Sequence, residues 1–386
     1  MGRAKRQIDE DDLSGLDMLR PLQGLLEQLH GAGCERDRAG NRQLHMDQYL
    51  TLLLLFMFNP ICSSLRSLQR ASELPKVQKK LGVGRASLGS LSEAARVFDA
   101  SLLEPVLAEL AGKVGVLDAG KTPNVQAVVT LVDGSHLSTL TRISEALWGE
   151  ASRRGVKMHM HYELLKGPTS ARISDGYACE KADLQARLEP GRLYVLDRGY
   201  AKYALLEQIV EAGSSFVCRV RDDAAARHVY QEHTPDEAAQ QAGVLSDRVV
   251  DLGTYHRRRD LHRPTRLIQL QVERRDGGGV QTITLATDQL ELPAETVAQL
   301  YRLRWQVELF FRFFKHVLGC RHLLSHCTNG IELQVYAAII ASLLIALYTG
   351  RKPNKATAEL FGWYIVGLAD AADLRRHIDK LPTQNP

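Results

Sequence analysis

The sequence lacks a C-x-x-C pair, and its apolar segments are all short. Six cysteines (34, 62, 179, 218, 320 and 327) are scattered over 386 residues. That scatter argues against a zinc module, whose ligands come in closely spaced pairs. Residues 1–12 are too charged for a signal peptide, and segments 52–58 and 337–348 are shorter than a bilayer span. We therefore expect a cytoplasmic protein with reduced thiols, buried core helices and no membrane association.

The overall charge is also too small to identify a partner, because the net charge is only +4. The local charge is more informative. Residues 61–96 hold seven Lys or Arg against two Glu, and residues 253–275 hold seven Arg against one Asp and one Glu. Charged segments are commonly solvated surfaces, but two separate basic segments are typical of a protein that binds phosphates along a duplex.

The order of predicted elements indicates an α/β protein. Residues 1–120 have helical spacing, with helices expected around 50–58, 63–69 and 91–110. Strands are predicted at 125–132, 159–165, 169–174, 193–196 and 215–220, with helices at 180–187 and 202–211. Two more strands, 267–275 and 280–287, flank a glycine-rich hairpin turn. The succession predicts an RNase H-like mixed sheet with flanking helices, an inserted β-rich subdomain and a helical N-terminal domain.

The segment YRLRWQVELFFRFFK, residues 301–315, combines charged and aromatic residues at helical spacing. At about 100° per residue, one continuous helix presents two faces. The polar face holds Tyr301, Arg304, Glu308, Arg312 and Lys315, and the apolar face holds Leu303, Val307, Phe310, Phe311 and Phe314. A solvated helix with ion pairs such as Arg304–Glu308 has the same pattern, so this segment alone does not decide its role.

Two aspartates stand at the predicted carboxyl ends of strands, where α/β sheets gather functional residues. Asp133 follows the first strand in LVDGS, and Asp197 follows the fourth in LYVLDRGY. Three carboxylates, with Glu308 as the third, suit Mg²⁺ or Mn²⁺. Two such ions about 4 Å apart can activate an attacking oxygen and stabilise a leaving one. An Asp-Gly pair is also common in turns, so for Asp133 taken alone a structural role in a turn stays an open alternative.

Three motifs together resemble the IS4-type insertion-sequence family of DDE transposases. They are DGS at 133–135, DRGY at 197–200 and Y-x2-R-x3-E-x6-K at 301–315. The resemblance covers roughly residues 125–347. It implies a divalent-metal-dependent DNA transposase in which Asp133, Asp197 and Glu308 bind two Mg²⁺ ions, with Mn²⁺ as a substitute.

The resemblance also implies the reaction and the partners. The enzyme would cut the ends of its insertion sequence and join them to target DNA by hydrolysis and transesterification. Tyr301, Arg304 and Lys315 would bind the DNA end. The partners would be double-stranded DNA, as terminal inverted repeats and as target, and a second copy in a homodimer. The expected location is the cytoplasm of a prokaryote, associated with the nucleoid.

These implications give a prediction for the domains. We expect a helical DNA-binding domain over 1–120 and the first part of the catalytic core over 121–220. The inserted β-rich subdomain is expected over 221–290. The second part of the core, with the helix of Glu308, is expected over 291–348, and a C-terminal helical tail over 349–386.

The chain departs from the family pattern in one respect. Some members cut through a DNA hairpin, with a tryptophan of the β insertion stacked on a flipped base. No Trp occurs between Arg198 and Arg304, so the hairpin step and a stacking role for Tyr255 stay open. The run at 257–259 is either a DNA contact or an exposed loop tip. Two rival functions remain: an RNase H-like nuclease without strand transfer, and a catalytically dead DNA-binding relic.

Overall fold

The N-terminal part of the protein is helical. This computed structural model describes residues 19–32, 37, 40, 42–114, 117, 123, 125–136, 156–175, 179–253, 261–274, 278–317, 323–325 and 327–381. The first helices are α1 (Arg20–Glu27), α2 (Met46–Phe58), α3 (Leu65–Ser72), α4 (Pro75–Leu81), α5 (Leu88–Val97) and α6 (Leu103–Val114). The single helix expected over 91–110 is wrong. Asp99 accepts a hydrogen bond from the Ser101 N–H and begins a short 3-10 turn that separates α5 from α6.

One mixed sheet dominates the rest of the described chain. Its strands are β1 (Val128–His136), β2 (Val156–Glu163), β3 (Gly167–Asp175), β4 (Arg192–Leu196), β5 (Ser215–Val220), β6 (Ala226–His233), β7 (Val244–Leu252), β8 (Thr265–Glu273) and β9 (Val280–Thr287). The order is β3-β2-β1-β4-β5-β9-β8-β7-β6. Strands β1, β4 and β5 are parallel, and the other neighbours are antiparallel. The mixed α/β class is therefore confirmed, and the order is compatible with an RNase H-like core.

The connections between the parallel strands are helical, as parallel pairing requires. Helix α7 (Glu180–Ala186) precedes β4, and α8 (Tyr203–Glu211) joins β4 to β5. Both helices were predicted within one residue of their observed bounds. The chain passes from β1 through β2, β3 and α7 to β4. Because β1 and β4 are parallel, they end at the same edge of the sheet, and this decides where Asp133 and Asp197 lie.

Strand β1 is longer than its sequence pattern predicts. It was expected to stop before Asp133, but it runs to His136, with Asp133 paired to Met160 and Gly134 to His159. The antiparallel ladder with β2 holds the Asp-Gly pair in extended backbone, so the turn alternative for Asp133 is wrong. The turn between β2 and β3 lies at residues 164–166, because Gly167 and Pro168 already belong to β3.

Strands β6 and β7 and the short helix α9 (Glu237–Gln241) between them were not predicted. Strand β6 is the edge of the sheet, and most of its side chains are exposed on both faces. Its sequence therefore has no alternation of apolar and polar residues. Strand β9 pairs with β5, Val217 opposite Thr287, so these strands continue the same sheet. The domain boundaries stay a prediction.

The helix that carries Glu308 is broken. The sequence predicts one long helix, but α10 (Ala294–Leu303) ends before Arg304 and α11 (Trp305–Val317) begins after it. Hydrogen bonds with three-residue spacing, Arg304 N–H to Tyr301 O and Val307 N–H to Arg304 O, tighten the chain there. Pro293 is the N-cap of α10 and lies just before its first turn.

Helix α12 (Thr328–Thr349) is the central apolar helix. It has 22 residues, and an 18-residue stretch of it has a mean hydropathy of 2.0, so length and composition alone would allow it to cross a membrane. In the protein, 89% of that apolar stretch is buried, and the helix packs against α2, α6 and β3. The prediction of a buried core helix is confirmed, although the helix is longer than expected. Helices α13 (Lys355–Ile365) and α14 (Ala371–Lys380) follow.

Candidate active site

Parallel pairing of β1 and β4 brings Asp133 and Asp197 together. Leu131 pairs with Val195 in this ladder, and each aspartate lies two residues further along its strand direction. Glu308 is in the first turn of α11, which packs on β1. Arg304 connects the two elements, with Nη1 4.0 Å from Asp133 Oδ2 and Nη2 donating to Glu308 Oε1. The three predicted carboxylates therefore share one neighbourhood, with a guanidinium between two of them.

The charges of these side chains interact strongly. The pKa of Asp133 is raised from an ordinary value of 3.8 to about 7. Burial is the main cause, and the negative charges of Asp197 and Glu308 add to it, while Arg304 and the Gly134 N–H lower the pKa. A carboxyl group that is held protonated mainly by burial, with neighbouring carboxylates adding to the effect, is one that a bound cation would ionise.

The chemistry of the side chains fits a divalent metal, but their arrangement is not that of a complete metal site. Carboxylate oxygens are the ligands that Mg²⁺ prefers. Among the residues that the structure describes, however, no three His, Cys, Asp or Glu side chains stand close enough together to hold an ion. The guanidinium of Arg304 lies between Asp133 and Glu308, where an ion shared by these two carboxylates would bind.

The two aspartate motifs each contain a glycine at a position where a side chain would collide with a carboxylate. At Gly134, a Cβ would lie 2.7 Å from Glu180 Oε1, and at Gly199 a Cβ would lie 2.9 Å from Asp197 Oδ1. The Gly199 N–H donates to Asp197 Oδ1 at 2.7 Å and fixes that carboxylate at the start of a 3-10 turn. Glu180 forms an ion pair with Lys157 at 2.7 Å. The sequence did not point to Glu180, because its distance along the chain from Asp133 matches no known spacing.

A groove with a volume of about 1290 Å³ opens beside Asp197. Among the described residues, six arginines line it (198, 219, 274, 302, 304 and 312), together with Tyr301 and Trp305, and the acidic residues of this described lining are Asp197 and Glu273. Arg219 projects from β5, and its buried Nε has no hydrogen-bond partner in the described structure. The groove combines phosphate-binding cations with aromatic surfaces. Arg198, Arg219 and Arg302 were not predicted as site residues, because they come from separate parts of the chain, and Arg274 was expected only as a member of the basic segment 253–275.

The three expected DNA-binding residues take different places. Tyr301 and Arg304 line the groove, and the guanidinium of Arg304 is 5.9 Å from the Tyr301 ring centre. Lys315 is not part of the groove wall. Burial lowers the pKa of Lys315, and the negative charge of Asp133 acts in the opposite direction. Tyr255 and the arginines at 257–259 lie outside the described residues.

The raised pKa of Asp133 predicts a pH dependence of stability. The folded protein keeps this proton up to about pH 7, whereas the unfolded chain releases it near 3.8. Stability should therefore fall as pH rises through that window, since the folded state binds more protons. Urea unfolding without metal should show a fall of about 2 kcal/mol from about pH 5 to pH 8, and Asp133→Asn should remove most of it. An identical pH profile in both proteins would contradict the assignment.

Comparisons with known proteins agree with this geometry. The family described as "Transposase DDE domain" matches residues 125–344. "Putative transposase y4zB" of Sinorhizobium fredii is 31% identical over 258 residues, which are 64% of this chain and 69% of that protein. "Probable transposase for insertion sequence element IS5377" of Geobacillus stearothermophilus is 29% identical over 196 residues, which are 50% of this chain and 49% of that protein. The resemblance found in the motifs is confirmed, and the chain belongs to the DDE transposase family.

Proposed function

We propose that this protein cuts the ends of its insertion sequence and joins them to target DNA, with Asp133, Asp197 and Glu308 as the residues that hold two Mg²⁺ ions. The observation that carries the proposal is the register of β1 and β4, which sets the two aspartates side by side beneath the helix of Glu308. The strand order β3-β2-β1-β4-β5 supports an RNase H-like catalytic core.

The chain's own residues have distinct tasks in this reaction. When bound, Mg²⁺ activates the attacking oxygen and stabilises the leaving oxygen of the phosphodiester. Asp133 has to lose its proton before it can act as a ligand, so metal binding should weaken below about pH 7. Asp197 is held in place by the Gly199 N–H. Arg304 and Tyr301 stand in the adjoining groove and bind the DNA end.

The arginine-lined groove is the proposed path of the DNA backbone. Guanidinium groups bind phosphate oxygens in a bidentate manner, and aromatic rings pack against sugars and bases. The helices α3, α4 and α5 offer a second basic surface, because all seven Lys and Arg residues between 61 and 96 are exposed. We assign that surface to recognition of the terminal inverted repeats. The reaction needs two ends, so a homodimer on DNA in the cytoplasm of a prokaryote is part of the proposal.

Removing one groove arginine should flatten the salt dependence of DNA binding. For Arg219→Gln, the slope of log K against log salt concentration should decrease by about 0.9, as expected for one lost phosphate contact. Arg221→Gln is the matched control, because this exposed guanidinium is paired with Asp223 and does not line the groove. The measurement is fluorescence anisotropy with labelled duplex DNA over a range of salt. Equal slopes for Arg219→Gln and the wild type would remove Arg219 from the DNA path.

The direct test uses a supercoiled plasmid that carries both ends of the element. Purified protein with Mg²⁺ should cut at the ends and insert them into a second plasmid. Cuts without joining would favour a nuclease of the same fold. End binding without cuts in either Mg²⁺ or Mn²⁺ would favour a catalytically dead DNA-binding protein.

A further inference from the structure

Arg304 occupies an unusual position for a residue that binds DNA. Its side chain is only 9% exposed, and its guanidinium is paired with Glu308 and lies 4.0 Å from Asp133. Its Nε is buried and has no hydrogen-bond partner among the described residues. Arg312, one turn beyond Glu308 on the same helix, differs: it is exposed, and its guanidinium lies 5.6 Å from the centre of the Trp305 ring.

We propose that Arg304 is an internal cation that competes with the divalent metal for Asp133 and Glu308 until a DNA phosphate draws it away. Binding of the DNA end and binding of the metal would then strengthen each other. This inference rests on the proposed function, since it takes the three carboxylates as the metal site and the adjoining groove as the DNA path.

The competition follows from geometry and charge. A Mg²⁺ ion needs carboxylate oxygens at about 2.1 Å in a nearly octahedral arrangement. The Glu308 oxygen that would supply one of these bonds already accepts a hydrogen bond from Arg304. A guanidinium between Asp133 and Glu308 would also repel the ion. The metal therefore has to displace Arg304, which explains why the carboxylates do not form a ready metal site.

The groove gives Arg304 an alternative partner. Arg304 belongs to the lining of the arginine-rich groove as well as to the carboxylate cluster. It stands at the break between α10 and α11, where the backbone is not held by a regular helix ladder. Phosphate accepts the guanidinium fork as readily as a carboxylate does. A phosphate in the groove can thus take over the hydrogen bond that Arg304 gives to Glu308.

Thermodynamic linkage makes the coupling reciprocal. If DNA raises the affinity for metal by some factor, metal raises the affinity for DNA by the same factor. Arg304 would act here as a positioning residue, because its effect on the metal runs through Asp133 and Glu308. A residue that served only to hold the fold would leave this coupling unchanged.

The first experiment measures Mn²⁺ binding without DNA by the loss of the free-ion electron paramagnetic resonance signal. Arg304→Gln should bind Mn²⁺ about tenfold more tightly than the wild type, a factor within the range typical of coupled sites. Arg304→Lys keeps the positive charge and should restore weak binding. Arg221→Gln removes the same charge from an exposed ion pair outside the groove and should leave Mn²⁺ affinity within about twofold of the wild type. Thermal melting of each variant checks that it is folded.

The second experiment repeats the titration with a short duplex copied from the DNA that flanks the protein's own gene. The duplex should tighten Mn²⁺ binding to the wild type about tenfold and have little effect on Arg304→Gln. Equal Mn²⁺ affinities of wild type and Arg304→Gln without DNA, or equal tightening of both by DNA, would overturn the inference. Mn²⁺ binding that is unchanged in Asp133→Asn and Asp197→Asn would overturn the proposed metal site itself.

Discussion

Asp197→Asn should abolish DNA strand cleavage, with a fall in rate of about a thousandfold or more. Asparagine has nearly the same shape and keeps an oxygen that can accept the 2.7 Å hydrogen bond from the Gly199 N–H. The local turn should therefore survive. What is lost is the negative charge, and a neutral amide is a poor ligand for Mg²⁺ compared with a carboxylate. The measurement is the cutting of a labelled element end, with single turnover and saturating protein.

This prediction separates catalysis from binding. In a gel-shift assay, Asp197→Asn should bind the DNA end at least as well as the wild type, because it removes a negative charge beside the groove. Asp223→Asn is the matched control: this aspartate is 70% exposed in a surface ion pair with Arg221, and its loss should leave cleavage unchanged. Cleavage by Asp197→Asn at the wild-type rate would remove Asp197 from the catalytic site. Asp133→Asn and Glu308→Gln should behave as Asp197→Asn does.

Arg266→Ala should lower the free energy of unfolding by about 3–5 kcal/mol, the range for breaking a buried ion pair. The side chains of Arg266 and Asp247 are 7% and 4% exposed, and they form two hydrogen bonds of 2.8 and 2.6 Å across β7 and β8. Arg266 also donates to the carbonyls of Leu290 and Leu292, just before α10. Without the guanidinium, the Asp247 carboxylate and both carbonyls lose a buried donor.

The chain offers a close control for this effect. Arg221 and Asp223 form the same two-bond pair, at 2.8 and 2.9 Å, but their side chains are 76% and 70% exposed. Arg221→Ala should therefore leave the free energy of unfolding almost unchanged, because water screens an exposed ion pair. Urea unfolding of both variants gives the comparison. The double variant Arg266→Met with Asp247→Leu should recover most of the loss, because it leaves no unpaired buried charge. A loss below about 1 kcal/mol in Arg266→Ala would show that water or a rearranged side chain replaces the pair.

Local pattern predicted the central strands well. Strands β4 and β5 are short apolar runs, and β9 alternates apolar and polar residues. The predicted bounds of all three differ from the observed ones by at most one residue. Strand β6 could not be predicted in this way, since an edge strand with both faces exposed needs no apolar residues. Strand β1 could not be delimited, because the ladder with β2 carries it through an Asp-Gly pair that locally favours a turn.

The site shows the same division. The sequence by itself determined which residue types are present: Asp197 after a strand, a glutamate at helical spacing from two cations, and glycines beside both aspartates. Only the tertiary structure decided their partners. The register of two strands sets Asp133 beside Asp197, and the break at Arg304 places its guanidinium between Asp133 and Glu308. Spacing along one chain encodes local geometry, whereas these contacts depend on how distant elements pack.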